Sequence, residues 1–449
     1  MWWMTWFGLV AVSKADSFET NAEVHTLDNG LVVIIEPSHR TDTVALNLAY
    51  KVGSRDEQPG EFGCAHLFEH LMFEGSANVP TNAFDQWLTA GGGQNNAWTS
   101  EDLTAYHMTF PSGALDLALF LESDRMGFLD AGLNTDNVNN QQLVVLQERN
   151  EGYAEPNGRD WDSMSRHTYP QAHPYHHPVI GSVADIEGFA IDKVRNFWET
   201  HYRARNAVLV LVGNVDTAQA LERVSHWFSD VPDRGEAPER KAAPLERGEV
   251  AAQHGVVFDD VEERSLYLVW PTVDKNHPDA AALQLLADVL SGGRGTRLDD
   301  ALYYDKSLAT SAWAYGYHSD LTGQFIVALG HHKTPLKKLY SKALGLTWSL
   351  ADTAPTQENL DRARTRMRGQ VLSQLETPWG RAEMLADCYL NTADANCVAL
   401  EWAKVEAVTV DDLMRVAETY LAGVEPQTLS TVPHNDNGYL DGAVPVELP

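Results

Sequence analysis

Cysteine is scarce in this chain of 449 residues, with Cys64, Cys388 and Cys397 the only three. None forms a Cys-x-x-Cys pair, which argues against a thiolate metal site. Cys388 and Cys397 could bridge in an oxidising compartment, or they could be two unrelated buried thiols. Basic residues are also few. Lys+Arg is 33 against 63 Asp+Glu, a formal charge of −30. An excess of this size repels phosphate backbones and anionic lipid heads, so nucleic acid is set aside as a partner. The acidity reads first as solubility and second as attraction for basic substrates. No apolar run reaches the ~18 residues that a transmembrane helix needs, so no membrane span is expected. The hydrophobic share is 44%, ordinary for a soluble globular protein, and the length points to more than one domain.

Residues Met1 to Val12 are apolar apart from Thr5 and lead into Ser13-Lys14-Ala15, a small-x-small pattern. The stretch resembles the apolar region and cleavage site of a secretory signal, although no basic residue precedes it. With residues 1–15 as a signal segment, the expected location is periplasmic or secreted. Without one, it is cytoplasmic.

Turn and strand signals divide the rest. Asp28-Asn29-Gly30 reads as a turn, and the apolar run Leu31 to Ile35 after it as a strand. Val44 to Val52 alternates as a second strand, a helical stretch runs on through Phe73, and Val208 to Val212 is a buried-strand run. Residues 232–248, rich in Pro, Gly and charge, read as a linker between a domain at 16–231 and another at 249–449. After the linker the order begins again. Gly255 to Phe258 and Ser265 to Trp270 are strands, and Asp279 to Leu290 is a helix. A duplicated unit of ordinary domain size is expected.

The chemistry gathers at His66-Leu67-Phe68-Glu69-His70. Residues four apart share a helix face, so His66 and His70 can grip one metal ion. Glu69 lies beside that face, where a carboxylate can take a proton from a polarised water. Leu67, Phe68 and Leu71 form the flank that docks the helix. Such a pair of histidines can also be a satisfied core feature. Catalytic zinc takes a third protein ligand and keeps one position for water. The candidate is Glu148, 78 positions after His70, and spacing alone also leaves Glu151 and Glu155 open. His173, His176 and His177 sit in a Pro-rich loop and read as structural. His331-His332 read likewise, because adjacent residues of a strand point to opposite faces.

Several blocks in order make the chain resemble the pitrilysin-type metallopeptidases. They are the inverted His66-x-x-Glu69-His70 motif, the distant Val-Val-x-x-Glu148, and Gly92-Gly93-x-x-Asn96-Ala97-x-Thr99. His173-Pro174-Tyr175, Tyr202-x-x-x-Asn206-Ala207-Val208 and Gly213-Asn214-Val215-Asp216 complete the set. The family includes bacterial two-domain members and the mitochondrial processing peptidase, whose zinc subunit this chain is similar to. The resemblance implies an α+β fold, two related domains of mixed sheet plus helices joined by a linker. It implies one zinc per chain on His66, His70 and Glu148, with Glu69 as general base. It also implies that a peptide substrate pairs edge-on with Asn96, Ala97 and Trp98. The expected activity is zinc-dependent endopeptidase action on peptides or unfolded segments. The rival is a non-catalytic scaffold subunit of the same fold.

Three departures from the family pattern stand out. Ala204 replaces a usual proline. Gln141 replaces a glutamate that supports the metal site in many members, and can orient a ligand only by hydrogen bonding. In the second half, Ser291 to Leu298 matches the family's Gly-rich entry, but Tyr303 and Thr310 stand where an Arg and a Tyr grip substrate. Two-chain members divide these duties between subunits. The chain is therefore expected to be the zinc subunit of a heterodimer, with a homologous partner carrying the Arg/Tyr pair. The alternative is a homodimer in which Arg294 or Arg297 substitutes.

Overall fold

The computed structural model describes residues 18–240, 242, 243, 245, 251–304 and 307–447. The signal expectation at 1–15 and part of the 232–248 linker lie outside the described residues.

The turn at Asp28-Asn29-Gly30 forms as the sequence predicts, with Gly30 at φ 85°. It joins β1 (Glu23–Thr26) to β2 (Val32–Pro37). With β3 (Thr43–Tyr50), β4 (Gln94–Thr99), β5 (Thr104–Pro111) and β6 (Ala207–Gly213) they form a sheet in the order β1-β2-β6-β3-β5-β4. The β2–β6 pair is parallel and the other pairs are antiparallel.

The second half repeats this plan. Its strands are β7 (His254–Asp259), β8 (Arg264–Thr272), β9 (Ser311–His318), β10 (Gly323–His331), β11 (Gln427–Pro433) and β12 (Val444–Pro445). Their order is β12-β7-β11-β8-β10-β9, and β7 runs parallel to β11 as β2 does to β6. Each strand from β2 to β6 thus has a counterpart, and the duplication expected from the turn and strand signals is present in the topology.

Strand alternation sorts side chains to two faces. Leu46, Leu48 and Tyr50 of β3 point to the first half's main core, together with Tyr106, Met108, Phe68 and Leu119. Ala45 and Ala49 point to the other face, which is covered by a helix from the second half, Pro378–Thr392, through Ala382, Leu385 and Ala386. Its start is set by Thr377, whose hydroxyl accepts the Gly380 N–H at 3.0 Å, and by Pro378 in the first turn. The loan is returned: helix Asp160–Thr168 of the first half packs on β11 and β7. There the buried Asp160 accepts hydrogen bonds from Ser265 (2.7 Å), Tyr267 (2.9 Å) and Thr431. A polar seam joins the halves where Arg55 bridges Asp102 (2.9 Å) and Asp320 (3.2 Å). Cys388 and Cys397 are disulfide-bonded at the end of the covering helix, and Cys64 is a buried free thiol.

Candidate metal centre

The helix Cys64–Leu71 carries the motif. It is entered through Gly63 at φ 99°, a left-handed conformation that suits glycine. A Cβ there would lie 2.7 Å from the Ile180 carbonyl oxygen, so the His-Pro-Tyr block abuts the helix start. The free N–H groups of the first turn are met by Glu57, whose carboxylate accepts from Gly63 N (2.9 Å) and Ala65 N (2.7 Å). Burial pushes the Glu57 carboxyl well up, while these two bonds oppose it. Tyr106 donates to the Phe68 carbonyl at 3.0 Å, and Phe68 stacks on Phe197, so the apolar face is held against the core. The opposite edge carries His66, Glu69 and His70.

The long helix Thr135–Ala154 crosses in front. Asn134 caps it by accepting the Asn137 N–H at 2.9 Å. Val138, Gln142, Val145 and Arg149 bury one face, and Glu148 stands beside that face, half-exposed. One Glu148 oxygen lies 3.3 Å from His70 Nε2 and the other 3.9 Å from His66 Nε2. The imidazole rings of His66 and His70 are 5.0 Å apart between centroids. One ligand atom from each of the three residues lies within 4.8 Å of the others, and no other His/Cys/Asp/Glu group among the described residues converges so closely.

The donor set fits zinc. Two imidazole nitrogens and a carboxylate oxygen can share an ion about 2 Å from each. His66 Nδ1 is buried without a hydrogen-bond partner, and the ring turns Nε2 towards the glutamates. Burial and then His70 lower the His66 pKa to about 4, which keeps the ring neutral as a ligand must be. The hydrogen bond from His70 holds the Glu148 carboxyl below its ordinary value. Glu69 lies 3.9 Å from His66 Nε2 and accepts a 2.7 Å hydrogen bond from Thr99. Burial raises its pKa, against the Thr99 bond.

The other expected residues are found as follows. Glu151 accepts from Gln147 at 2.8 Å and Glu155 ends the long helix, so neither joins the cluster. Gln141 is buried and donates to Glu74, which senses His70 electrostatically. Asn96, Ala97 and Trp98 lie on β4, the edge strand of its sheet. His173, His176 and His177 bond separately to the carbonyls of Ala243, Tyr169 and Pro178. Arg297 donates to the Ser349 carbonyl and Arg294 stacks over Tyr304, while Thr310 donates to Glu263. Sequence reasoning missed Glu57 as the helix cap and Thr99 as the partner of Glu69. Thr99 lies in the Gly92-Gly93-x-x-Asn96-Ala97-x-Thr99 segment, but nothing in that segment shows its role.

Two models of one peptidase family match consecutive stretches of the chain. "Insulinase (Peptidase family M16)" matches residues 32–180, and "Peptidase M16 inactive domain" matches residues 188–367. The chain belongs to this family. It is similar to the zinc protease PqqE of Helicobacter pylori, 28% identical over 433 residues, 95% of this chain and 96% of that protein. It is 24% identical to the mitochondrial-processing peptidase subunit beta of Lentinula edodes over 432 residues, 92% of this chain and 90% of that one. The solved structure of a protease from Helicobacter pylori superposes with a TM-score of 0.81 at 28% identity, over 92% of this chain and all of that one. A peptidase M16 inactive domain from Pseudomonas fluorescens shares the fold at TM-score 0.81 and 19% identity, over 95% of this chain and 100% of that one.

Proposed function

We propose that the chain is a zinc-dependent endopeptidase acting on peptides or unfolded segments, and the zinc-bearing subunit of a two-chain enzyme. The observation that carries this reading is the convergence of His66, His70 and Glu148 within 4.8 Å, with Glu69 beside them. Membership of the peptidase family and relatives named as zinc proteases support it. His66, His70 and Glu148 hold the ion, one per chain. Zinc in such a set supplies Lewis acidity and lowers the pKa of a bound water towards about 7.

The chain's own residues do the rest. Glu69 takes the proton of the attacking water and later passes it to the leaving amine. Thr99 keeps the Glu69 carboxylate turned to the site through its 2.7 Å bond. The free edge of β4 pairs with an extended peptide by main-chain hydrogen bonds, with Asn96, Ala97 and Trp98 setting its register. Gln141 steadies Glu74 behind His70. Arg297 is already engaged by Ser349 and Arg294 lies over the Tyr304 ring, which supports assigning the substrate-gripping Arg/Tyr pair to a homologous partner chain instead of a second copy. The Cys388–Cys397 disulfide supports a periplasmic or secreted location.

Elemental analysis tests the metal assignment. One zinc per purified chain is expected, with loss of zinc in His70→Ala and in Glu148→Gln. Full zinc in both variants would remove the assignment.

A further inference from the structure

Behind the substrate edge, between the first sheet's outer face and the second half, lies a cavity of about 550 Å³. That is in the size range of ligand sites. Its floor is Trp98, Ala105 and Ala49, which lie in one row across β4, β5 and β3. Its far wall includes Ala281, Met367, Met384 and Val405. The covering helix Pro378–Thr392 packs over β6, β3 and β5, and the cavity flanks it. One feature does not suit a plain packing gap. Asn47, 3% exposed, lines the cavity and its Oδ1 has no hydrogen-bond partner. A buried amide oxygen left unpaired is costly and commonly finds a water, so this space admits solvent that an apolar side chain can displace from the rest of the cavity.

Register says what reaches this space. Thr99 and Ala97 point to the motif helix, as the Thr99–Glu69 bond requires, so Trp98 and Asn96 point to the outer face. A peptide added to the free edge of β4 continues that alternation. Every second side chain turns to the zinc side, and those between turn to the face of Trp98 and Ala105. We infer that this cavity is a selectivity pocket for a bulky apolar side chain, aromatic or long aliphatic, on the outward-facing residues of the bound peptide. This rests on the peptidase reading above.

The test has two arms, both on the enzyme as it purifies from its native host, with its partner chain bound. In the first, peptides carry phenylalanine or alanine at successive positions, and kcat/KM is measured for the native chain and Ala281→Phe, which fills the cavity. At one position or its alternates the native chain should prefer phenylalanine, and Ala281→Phe should cut that preference by about tenfold or more. In the second arm, Glu69→Gln binds peptides with benzoylphenylalanine at each position in turn. Crosslinks should map to Met367 or Met384 from alternate positions only. An unchanged preference together with crosslinks elsewhere, while peptides are still cleaved, would overturn the pocket alone. So would saturable binding of the apolar dye anilinonaphthalene sulfonate there with no effect on peptide choice, which would assign the space to a free ligand. No cleavage of any peptide by the native enzyme would overturn the peptidase reading and the pocket with it.

Discussion

Glu69 is held by a single hydroxyl, and that makes Thr99 testable. Thr99→Val keeps the strand and removes the donor to the carboxylate. Hydrogen bonds to charged groups are worth about 1.5–3 kcal/mol, so kcat/KM should fall about tenfold to a hundredfold with zinc retained. An unchanged kcat/KM would show that Glu69 needs no such support. At this scale the site was partly legible. The spacing of His66, Glu69 and His70 within one helix fixes their common edge, because it depends only on the helical period. The choice of Glu148 over Glu151 did not follow from spacing, since residues three apart lie near the same face. It came from the resemblance, and in the structure the crossing of the long helix over His70 excludes Glu151, which turns to Gln147. Glu57 and Thr99 were not readable at all, because each reaches its partner across loops or strands.

The motif helix has only eight residues, too short to be stable without its neighbours. Its position rests on the Glu57 cap, the Tyr106 bond and the close passage of Gly63 past Ile180. Gly63→Ala sets a methyl against that carbonyl and strains a left-handed backbone. The variant should melt at lower temperature and bind zinc more weakly, by calorimetry and by competition with a chelator. Native zinc affinity in Gly63→Ala would mean that the helix start is slack. Element order was readable, since turn residues and apolar runs mark β2, β3, β6, β7 and β8. The exchange of helices between halves was not. The apolar stripe of Pro378–Thr392 says that it packs on something, but not which sheet.

The whole molecule is two sheets tied by exchanged helices and by the seam of Arg55, Asp102 and Asp320. One half bears the cluster of His66, His70 and Glu148. In the other, Arg297 is spent on the Ser349 carbonyl, and the family resemblance sets Tyr303 and Thr310 where an Arg and a Tyr are expected to grip substrate. Orientation and oxyanion contacts are each worth several kcal/mol of barrier, so this chain alone should be weakly active. Purification from the native host should bring down a similar-sized chain with a broken zinc motif and an intact Arg/Tyr pair, and mixing the two should restore turnover. Full specific activity from the single polypeptide would contradict the two-chain assignment.

The central claim, that His66, His70 and Glu148 hold a zinc ion served by Glu69 as base, is tested most directly by metal content and peptide turnover measured together on Glu69→Gln. The expected result is one zinc per chain with turnover lowered by about 10²–10⁴, because the amide cannot accept the proton. A variant that keeps its zinc and most of its turnover would contradict the claim.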